Sequence, residues 1–523
     1  MNRHSRPITW SSNAWAALLF VVLAWLGWAL SRGIQDPWIR VVDYNGAVWS
    51  QAAHNILRAG LIATLGQSSA YYFGPLPIPP SGYYLHHPPG LHLILTALFA
   101  LFGEHEWVAR MLPISCSLAS VILLWLLVRS CLGIRAASLS AAVFVCLPME
   151  LRYGKMVNFE PIVLMLILGA LLCLRYWHLS KNSLWQAAAF SLLVIGMWLD
   201  WAMYIFVVVL CIWWFLGSNA THRRFAGAVL FAALISGLLY LMSIRPLKPD
   251  AWKDLTNAFF FRLGSGSRAP TGLKPRYFSE VEWIKSVGTS LITYFPPLSW
   301  VFAAIGSTVI LQGRRHNEGL QWLGWACLMV FIMDAIYLGV FQNESYLQEY
   351  IAYYLVAPIS MTAGVALDRL ITQLGAFPLP RLFRGLPIYA TCLLLVAAGI
   401  SGQLRARALE TRIPISGLNA VEPPNLIPEL GAAIRESFSS DTYVLCSFRV
   451  DPMLNYYAQR ILIAGLVEYR FWPKYLQGSP KRVGGVIEMG SGTAEDIVTK
   501  LPAGTKRFVK IGDVLFCLWR SGD

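Results

Sequence analysis

What most constrains this chain is its repeated return to apolar stretches long enough to cross a bilayer. Runs such as Ala14–Leu30, Trp107–Val128, Phe225–Met242 and Leu320–Phe341 approach or exceed the roughly 20 residues that span a hydrocarbon core. Short basic loops separate them. Only 13% of residues are charged, and a soluble protein of this size would carry about twice that share. With 56% hydrophobic residues and a mean hydropathy of +0.53, the chain is expected to be a polytopic α-helical membrane protein. The first run lacks a following Ala-x-Ala site, so it is expected to be a retained helix and not a cleaved signal.

The net charge of +14 does not point to nucleic acid. The basic residues sit at alternate ends of the apolar runs, which is the orientation signal of a membrane protein. The nine cysteines show no CxxC or Cys/His spacing, so no zinc site is indicated.

Placing basic loops inside gives about eleven spans, with the N-terminus cytoplasmic and residues 32–110 outside. This requires Leu91–Phe102, only twelve residues, to lie on or dip into the membrane face. Within the same loop, Asn45–Arg58 is expected to form an amphipathic surface helix. An outer loop is expected at Glu150–Glu160, a tight outer hairpin at Asp200, and a long outer loop at Ser243–Lys285. The transmembrane domain is placed at 1–400 and an extracytoplasmic domain at 401–523, where the composition turns soluble.

In that tail, strands are predicted at Thr442–Phe448, Arg482–Glu488, Arg507–Ile511 and Asp513–Trp519. Helices are predicted at Pro452–Arg460 and Thr493–Leu501, which together read as a small α/β domain. Cys446 and Cys517 are expected on adjacent strands, either bridged or as two buried thiols. No GxGxxG or GxxxxGK nucleotide loop occurs.

The chemistry concentrates in residues 32–110. Asp43 opens Asp43-Tyr44-Asn45-Gly46. Then come Tyr84-Leu85-His86-His87-Pro88-Pro89-Gly90 and Gly103-Glu104-His105-Glu106-Trp107-Val108-Ala109-Arg110. A carboxylate held at a membrane surface is a candidate proton acceptor, although Asp is also a preferred helix cap. An early Asp, a His-x-Pro-Pro-Gly-like segment and Gly-x-x-Glu-x-x-x-Arg opening a span resemble the dolichyl-phosphate-mannose protein mannosyltransferases. They resemble the bacterial lipid A aminoarabinose transferases equally. Both are C-type integral-membrane glycosyltransferases. The resemblance is strong over 40–180 and says little about 401–523.

That resemblance implies transfer of a sugar from a polyprenyl-phosphate carrier to a lipid, glycan or protein acceptor. The reaction would take place at the outer face of a bacterial plasma membrane. It implies that Asp43 is the catalytic carboxylate, although Tyr44 follows where the family usually carries Glu. The phosphate leaving group needs no general acid, so one base predicts single displacement with inversion. Asp43→Asn is then expected to abolish transfer while leaving folding intact.

Glu160, with Asn158, is expected to orient the acceptor or Asp43; a carboxylate at a helix N-terminus is also favoured by the dipole alone. Arg110, Lys155 and Arg152 are candidates for the donor phosphate, with headgroup pairing as the alternative. His86 and His87 are candidate substrate contacts. Glu349, Tyr353 and Tyr354 are candidate cavity residues, and Glu104 and Glu106 are expected to hold Arg110 by ion pairing. The reading requires no cofactor. A divalent metal stays open, though Asn45 stands where an Asp-x-Asp would put a second carboxylate. Two other classes compete: a transporter or flippase for lipid-linked molecules, and a catalytically idle scaffold.

Overall fold

The computed structural model describes residues 12–217, 219–264, 278–376, 386–410, 425–446, 448, 450–464, 483–490, 504–511 and 514–520. The first helices are α1 (Ser12–Ser31), α2 (Tyr44–Ala59), the single turn α3 (Leu61–Thr64), α4 (Gly90–Phe102), α5 (Glu106–Leu132), α6 (Ile134–Cys146) and α7 (Pro148–Tyr153). Next come α8 (Phe159–Ser180), α9 (Ser183–Met197), α10 (Trp201–Leu216), α11 (Ala220–Ile244), α12 (Ala251–Arg262), α13 (Glu280–Tyr294) and α14 (Pro297–Gly313). The membrane part closes with α15 (Glu318–Val340), α16 (Gln342–Leu347), α17 (Val356–Ala376) and α18 (Leu386–Ala408).

Among the described residues, seven helical segments are long and apolar enough to cross a membrane, and α13 with α14 form a further pair bent by 87°. Three other expected spans are the shorter apolar helices α6, α9 and α10. Helices approach closely where small residues allow it. A Cβ on Gly306 of α14 would lie 1.8 Å from the Thr362 carbonyl oxygen of α17, so only glycine permits that crossing.

The bundle has two chemically distinct ends. Glu160 opens α8 and Arg175 lies near its close, about 22 Å further along at 1.5 Å per residue. At the Arg175 end, Arg175 pairs with Glu318 at 2.9 Å and Arg135 pairs with Asp368. At the other end lie residues 32–110, α7, α16 and the C-terminal sheet.

One sequence expectation is corrected, and two of the expected connections prove to contain helices. Helix α2 is no surface helix. Gly46, Ala47, Val48, Trp49, Ala52, Ala53 and Ile56 are all buried, because α2 is packed between α4 and the C-terminal domain. The Glu150–Glu160 loop contains a buried helix, α7. The Ser243–Lys285 loop contains α12.

The C-terminal domain adds helices α19 (Leu426–Ser437) and α20 (Pro452–Ala458) and strands β1 (Tyr443–Cys446), β2 (Ile461–Ala464), β3 (Val483–Gly490), β4 (Thr505–Ile511) and β5 (Val514–Arg520). The sheet order is β2-β1-β3-β5-β4, with β1 parallel to both neighbours and β5 antiparallel to both of its own. Four of the strands match the expected ones; α19 and β2 were not anticipated, and the helix expected at Thr493–Leu501 lies outside the described residues. Cys446 and Cys517 are both buried but not on adjacent strands. Strand β3 separates them by two strand spacings, about 10 Å, beyond the reach of a disulfide.

The domain is anchored on the first loop. The Tyr457 hydroxyl accepts from the Trp38 backbone N–H (2.8 Å) and donates to Glu106 (2.6 Å), and Gln459 donates to Gln51 (2.8 Å).

Candidate active site

A cavity of about 880 Å³ opens at the end of the bundle that carries the first loop. Its walls come from the start of α2, the His87 segment, α7, the start of α8, Asp200, Arg262, α13 and residues 344–351.

One side is built around a chain of four polar groups. Pro88 and Pro89 hold the backbone at His87 extended, and its ring stacks on Phe159 at 4.7 Å. His87 Nδ1 lies 3.1 Å from Asp200, and Nε2 lies 2.9 Å from Arg262 Nη2. Guanidinium only donates, so Nε2 must accept and Nδ1 must carry the proton to Asp200. Burial, then the Arg262 charge, lowers the His87 pKa against the opposing pull of Asp200, so the ring is neutral. Arg262 Nε donates to Glu344 at 2.7 Å. Burial opposes charge on Arg262, but Glu344, Tyr84 and Tyr337 together outweigh burial and hold the guanidinium above its ordinary range.

Glu160 faces the same cavity from the first turn of α8. It is buried, and its Oε2 has no protein partner. Asn158 beside it accepts from the Trp49 indole at 2.9 Å.

Glu349 also lines the cavity, and its Oε2 accepts from the Tyr153 hydroxyl at 2.7 Å and from that of Tyr294. Arg152 lies over the Tyr153 and Tyr294 rings and donates to the Leu409 carbonyl. Lys155 is outside the cavity wall, bound to Glu410 (3.1 Å) and the Arg32 carbonyl (3.3 Å).

Several predicted site residues are placed elsewhere. Asp43 does not line the cavity, although Val42 and Tyr44 on either side of it do. Its Oδ2 accepts from the Ile39 and Arg40 N–H groups (3.2 and 3.0 Å), and Oδ1 accepts from Arg110 (2.9 Å). It therefore does not cap α2 with its side chain. Arg110 is consumed by the same pairing, by the carbonyls of Ile34 and Asp36, and by the Trp38 ring face at 4.1 Å. Trp38 in turn sits against Gly46, where any Cβ would come within 2.5 Å of the indole.

The expectation that Glu104 and Glu106 hold Arg110 is corrected: Glu104 pairs with His54 (2.7 Å) and Glu106 accepts from Tyr457. His86 does not line the cavity, and its carbonyl accepts from Trp201 (2.8 Å). Tyr353 and Tyr354 are fully buried behind the wall, because the turn at 349–355 points Glu349 and Tyr350 inward instead.

Tyr353 donates to Glu150 at 2.6 Å. Burial pushes the Glu150 carboxyl up to about 7, against the hydrogen bonds of Tyr353 and Ser117. The unfolded chain then ionises first, so stability should fall as pH rises from about 4.5 to about 7, in total by about 3 kcal/mol. Glu150→Gln keeps an acceptor for Tyr353 and should abolish that slope, read as the difference in unfolding temperature between pH 5 and pH 8.

A second, largely aromatic cavity of about 530 Å³ adjoins the first. Trp201, Tyr204, Trp252, Phe259, Phe260 and Phe341 line it, and Arg262 and Glu344 line both cavities. Among the described residues, no group of three or more His, Cys, Asp or Glu side chains is arranged to hold a metal.

The chain superposes on ArnT from Cupriavidus metallidurans bound to undecaprenyl phosphate, with a TM-score of 0.62 and 13% identity over 97% of this chain and 98% of that one. It also superposes on the Archaeoglobus fulgidus oligosaccharyltransferase AglB in complex with an inhibitory peptide and a dolichol-phosphate. There the TM-score is 0.55, with 14% identity over 90% of this chain and 69% of the other. The chain has the fold of the C-type membrane glycosyltransferases.

Residues 86–245 match the family described as dolichyl-phosphate-mannose-protein mannosyltransferase. Two Bacillus subtilis (strain 168) proteins named as candidate mannosyltransferases are similar in part. YycA is 26% identical over 197 residues, and YkcB is 24% identical over 165. The matches cover 36% and 30% of this chain but only 28% and 21% of those relatives.

Within this C-type fold, sequence reasoning missed Arg262, Asp200 and Glu344 as parts of one site. The one available signal was an arginine ending the aromatic run Phe259-Phe260-Phe261 between two spans.

Proposed function

We propose that the protein is an integral-membrane glycosyltransferase that moves a sugar from a polyprenyl-phosphate carrier to an acceptor in the 880 Å³ cavity. The observation that carries this reading is the position of Arg262, on the border between an aromatic groove and a polar cavity, clamped by Glu344 and His87. The groove suits a polyprenyl tail and the guanidinium suits the phosphate that follows it. ArnT binds undecaprenyl phosphate and AglB binds a dolichol-phosphate in the solved structures, which supports the same ligand class here. The end rich in basic loops faces the cytoplasm in this reading, and the cavity opens outside.

Glu160 is the base. An acceptor hydroxyl or amine attacks the anomeric carbon on the face opposite the phosphate, and its proton passes to the Glu160 carboxylate. The glycosyl C–O bond breaks and its electron pair goes to the phosphate, which gains a negative charge. Arg262, already fixed, stabilises that charge more in the transition state than in the ground state. No acid is needed for such a leaving group, and one displacement inverts the anomeric centre. Asp43 and Arg110 act at one remove, by locking the loop that carries Val42, Tyr44 and Asn45 into the wall.

The test is purified protein in vesicles given a panel of labelled polyprenyl-phosphate hexoses and pentoses. Release of polyprenyl phosphate from one donor is expected, and Arg262→Ala should lower kcat/KM by about 10²–10³-fold. Label crossing the bilayer with no release from any donor would establish a transporter instead.

A further inference from the structure

Helix α13 has three faces of different character. Trp283, Leu291 and Tyr294 face the protein body: Trp283 donates to Ser345 at 2.8 Å, Leu291 packs on the core and Tyr294 is buried. Glu282, Lys285, Ser286, Thr289 and Ser290, spaced at i, i+3, i+4, i+7 and i+8, form one stripe, and all five line the main cavity. The third stripe is apolar and bare, with Val281, Ile284 and Ile292 exposed by 74%, 61% and 58%. Because α13 meets the apolar helix α14 at 87°, it runs roughly across the bundle when α14 stands along it. An in-plane helix at a membrane face lays its bare apolar stripe against lipid. Here the adjoining stripe carries three hydroxyls, beyond Glu282 and Lys285, inside the cavity.

Tyr153, Tyr350 and Glu349 line the same cavity as those hydroxyls, and Tyr294 of α13 ties Tyr153 and Glu349 to that helix. The Tyr153 ring lies 5.9 Å from that of Tyr350 and 5.4 Å from that of Tyr294, and Glu349 is held by two phenols. Aromatic faces for the C–H surface of a pyranose, with a carboxylate and three alcohols for its hydroxyls, make a carbohydrate subsite. It is built from different elements than the Arg262, His87 and Glu344 cluster. We infer that the α13 side of the cavity is the acceptor subsite, and that it takes a glycan carried on a membrane lipid. The sugar sits against Ser286, Thr289 and Ser290, and its lipid lies beyond the apolar stripe in the bilayer. This rests on the glycosyl-transfer reading above.

The experiment supplies the donor that shows release with three acceptors. These are diglucosyl diacylglycerol in phosphatidylethanolamine/phosphatidylglycerol vesicles, the same disaccharide free in water, and a Ser/Thr-containing peptide. The glycolipid should be used at least about tenfold more efficiently than the free disaccharide. The triple variant Ser286→Ala, Thr289→Ala, Ser290→Ala should raise the KM for the glycolipid about tenfold with kcat changed less than about twofold, as loss of one or two net hydrogen bonds requires. Equal use of the free disaccharide, preference for the peptide, donor consumption with no transfer to the glycolipid, or an unchanged KM in the triple variant would each overturn the inference. No release from any donor in any arm would reject the glycosyl-transfer reading itself.

Discussion

Glu160→Gln is expected to lower kcat by about 10²–10⁴-fold, the usual contribution of a positioned general base. The substitution is nearly isosteric. It keeps an acceptor oxygen toward the cavity and replaces a buried carboxyl whose Oε2 has no protein partner. Folding should therefore be unharmed, and the unfolding temperature should hold or rise. KM for the donor should change little, because Arg262 and His87 are untouched. The measurement is initial rates over donor concentration, together with thermal unfolding in the same detergent. Wild-type turnover in the folded variant would remove Glu160 from the chemistry and return attention to Asp43.

Asp43→Ala is expected to destabilise the protein by about 3–5 kcal/mol, because it leaves the Arg110 guanidinium buried without its counter-charge. Asp43→Asn should do nearly as badly. Its amide would turn either an N–H group toward the Ile39 and Arg40 N–H donors or one toward Arg110, none of which can accept. This replaces the expectation from sequence that Asp43→Asn spares the fold. The double variant Asp43→Leu, Arg110→Met removes both charges and should recover most of the lost stability, since a buried pair replaced by apolar groups is near neutral. Thermal unfolding of the three variants tests this. An Asp43→Asn protein with unaltered unfolding temperature and no turnover would assign Asp43 directly to the reaction.

The fold was largely legible in the chain, and the reason is hydropathy. Apolar runs must become helices in lipid, and their lengths and basic flanks are one-dimensional quantities. The expected spans therefore correspond to helices α1, α5, α6, α8–α11, the α13–α14 pair, α15, α17 and α18. Leu91–Phe102 proved to be a helix of 13 residues. The C-terminal strands β1, β3, β4 and β5 were legible for a similar reason, since a short apolar run bounded by turns reads locally. Their order did not. Pairing β3 between β1 and β5 is a long-range decision, and it alone separated Cys446 from Cys517.

The candidate site was only half visible. Glu160, His87, Asn158 and Arg152 were singled out from sequence, and the structure brings all four to one cavity. Residue type and position near a membrane face suffice to nominate such groups. What a side chain faces depends on partners far along the chain. Asp43 was turned from the cavity by Arg110, 67 residues on, and Lys155 was taken up by Glu410, 255 residues on. Arg262 became central because Glu344 and His87, 82 and 175 residues away, close on it from two other elements. The sequence by itself determined which segments enter the membrane, at which end the polar chemistry gathers, and which residue types are available for it. Only the tertiary structure decided which charges neutralise one another in the interior and which remain turned toward the cavity, because burying an ion requires a partner that local sequence does not name.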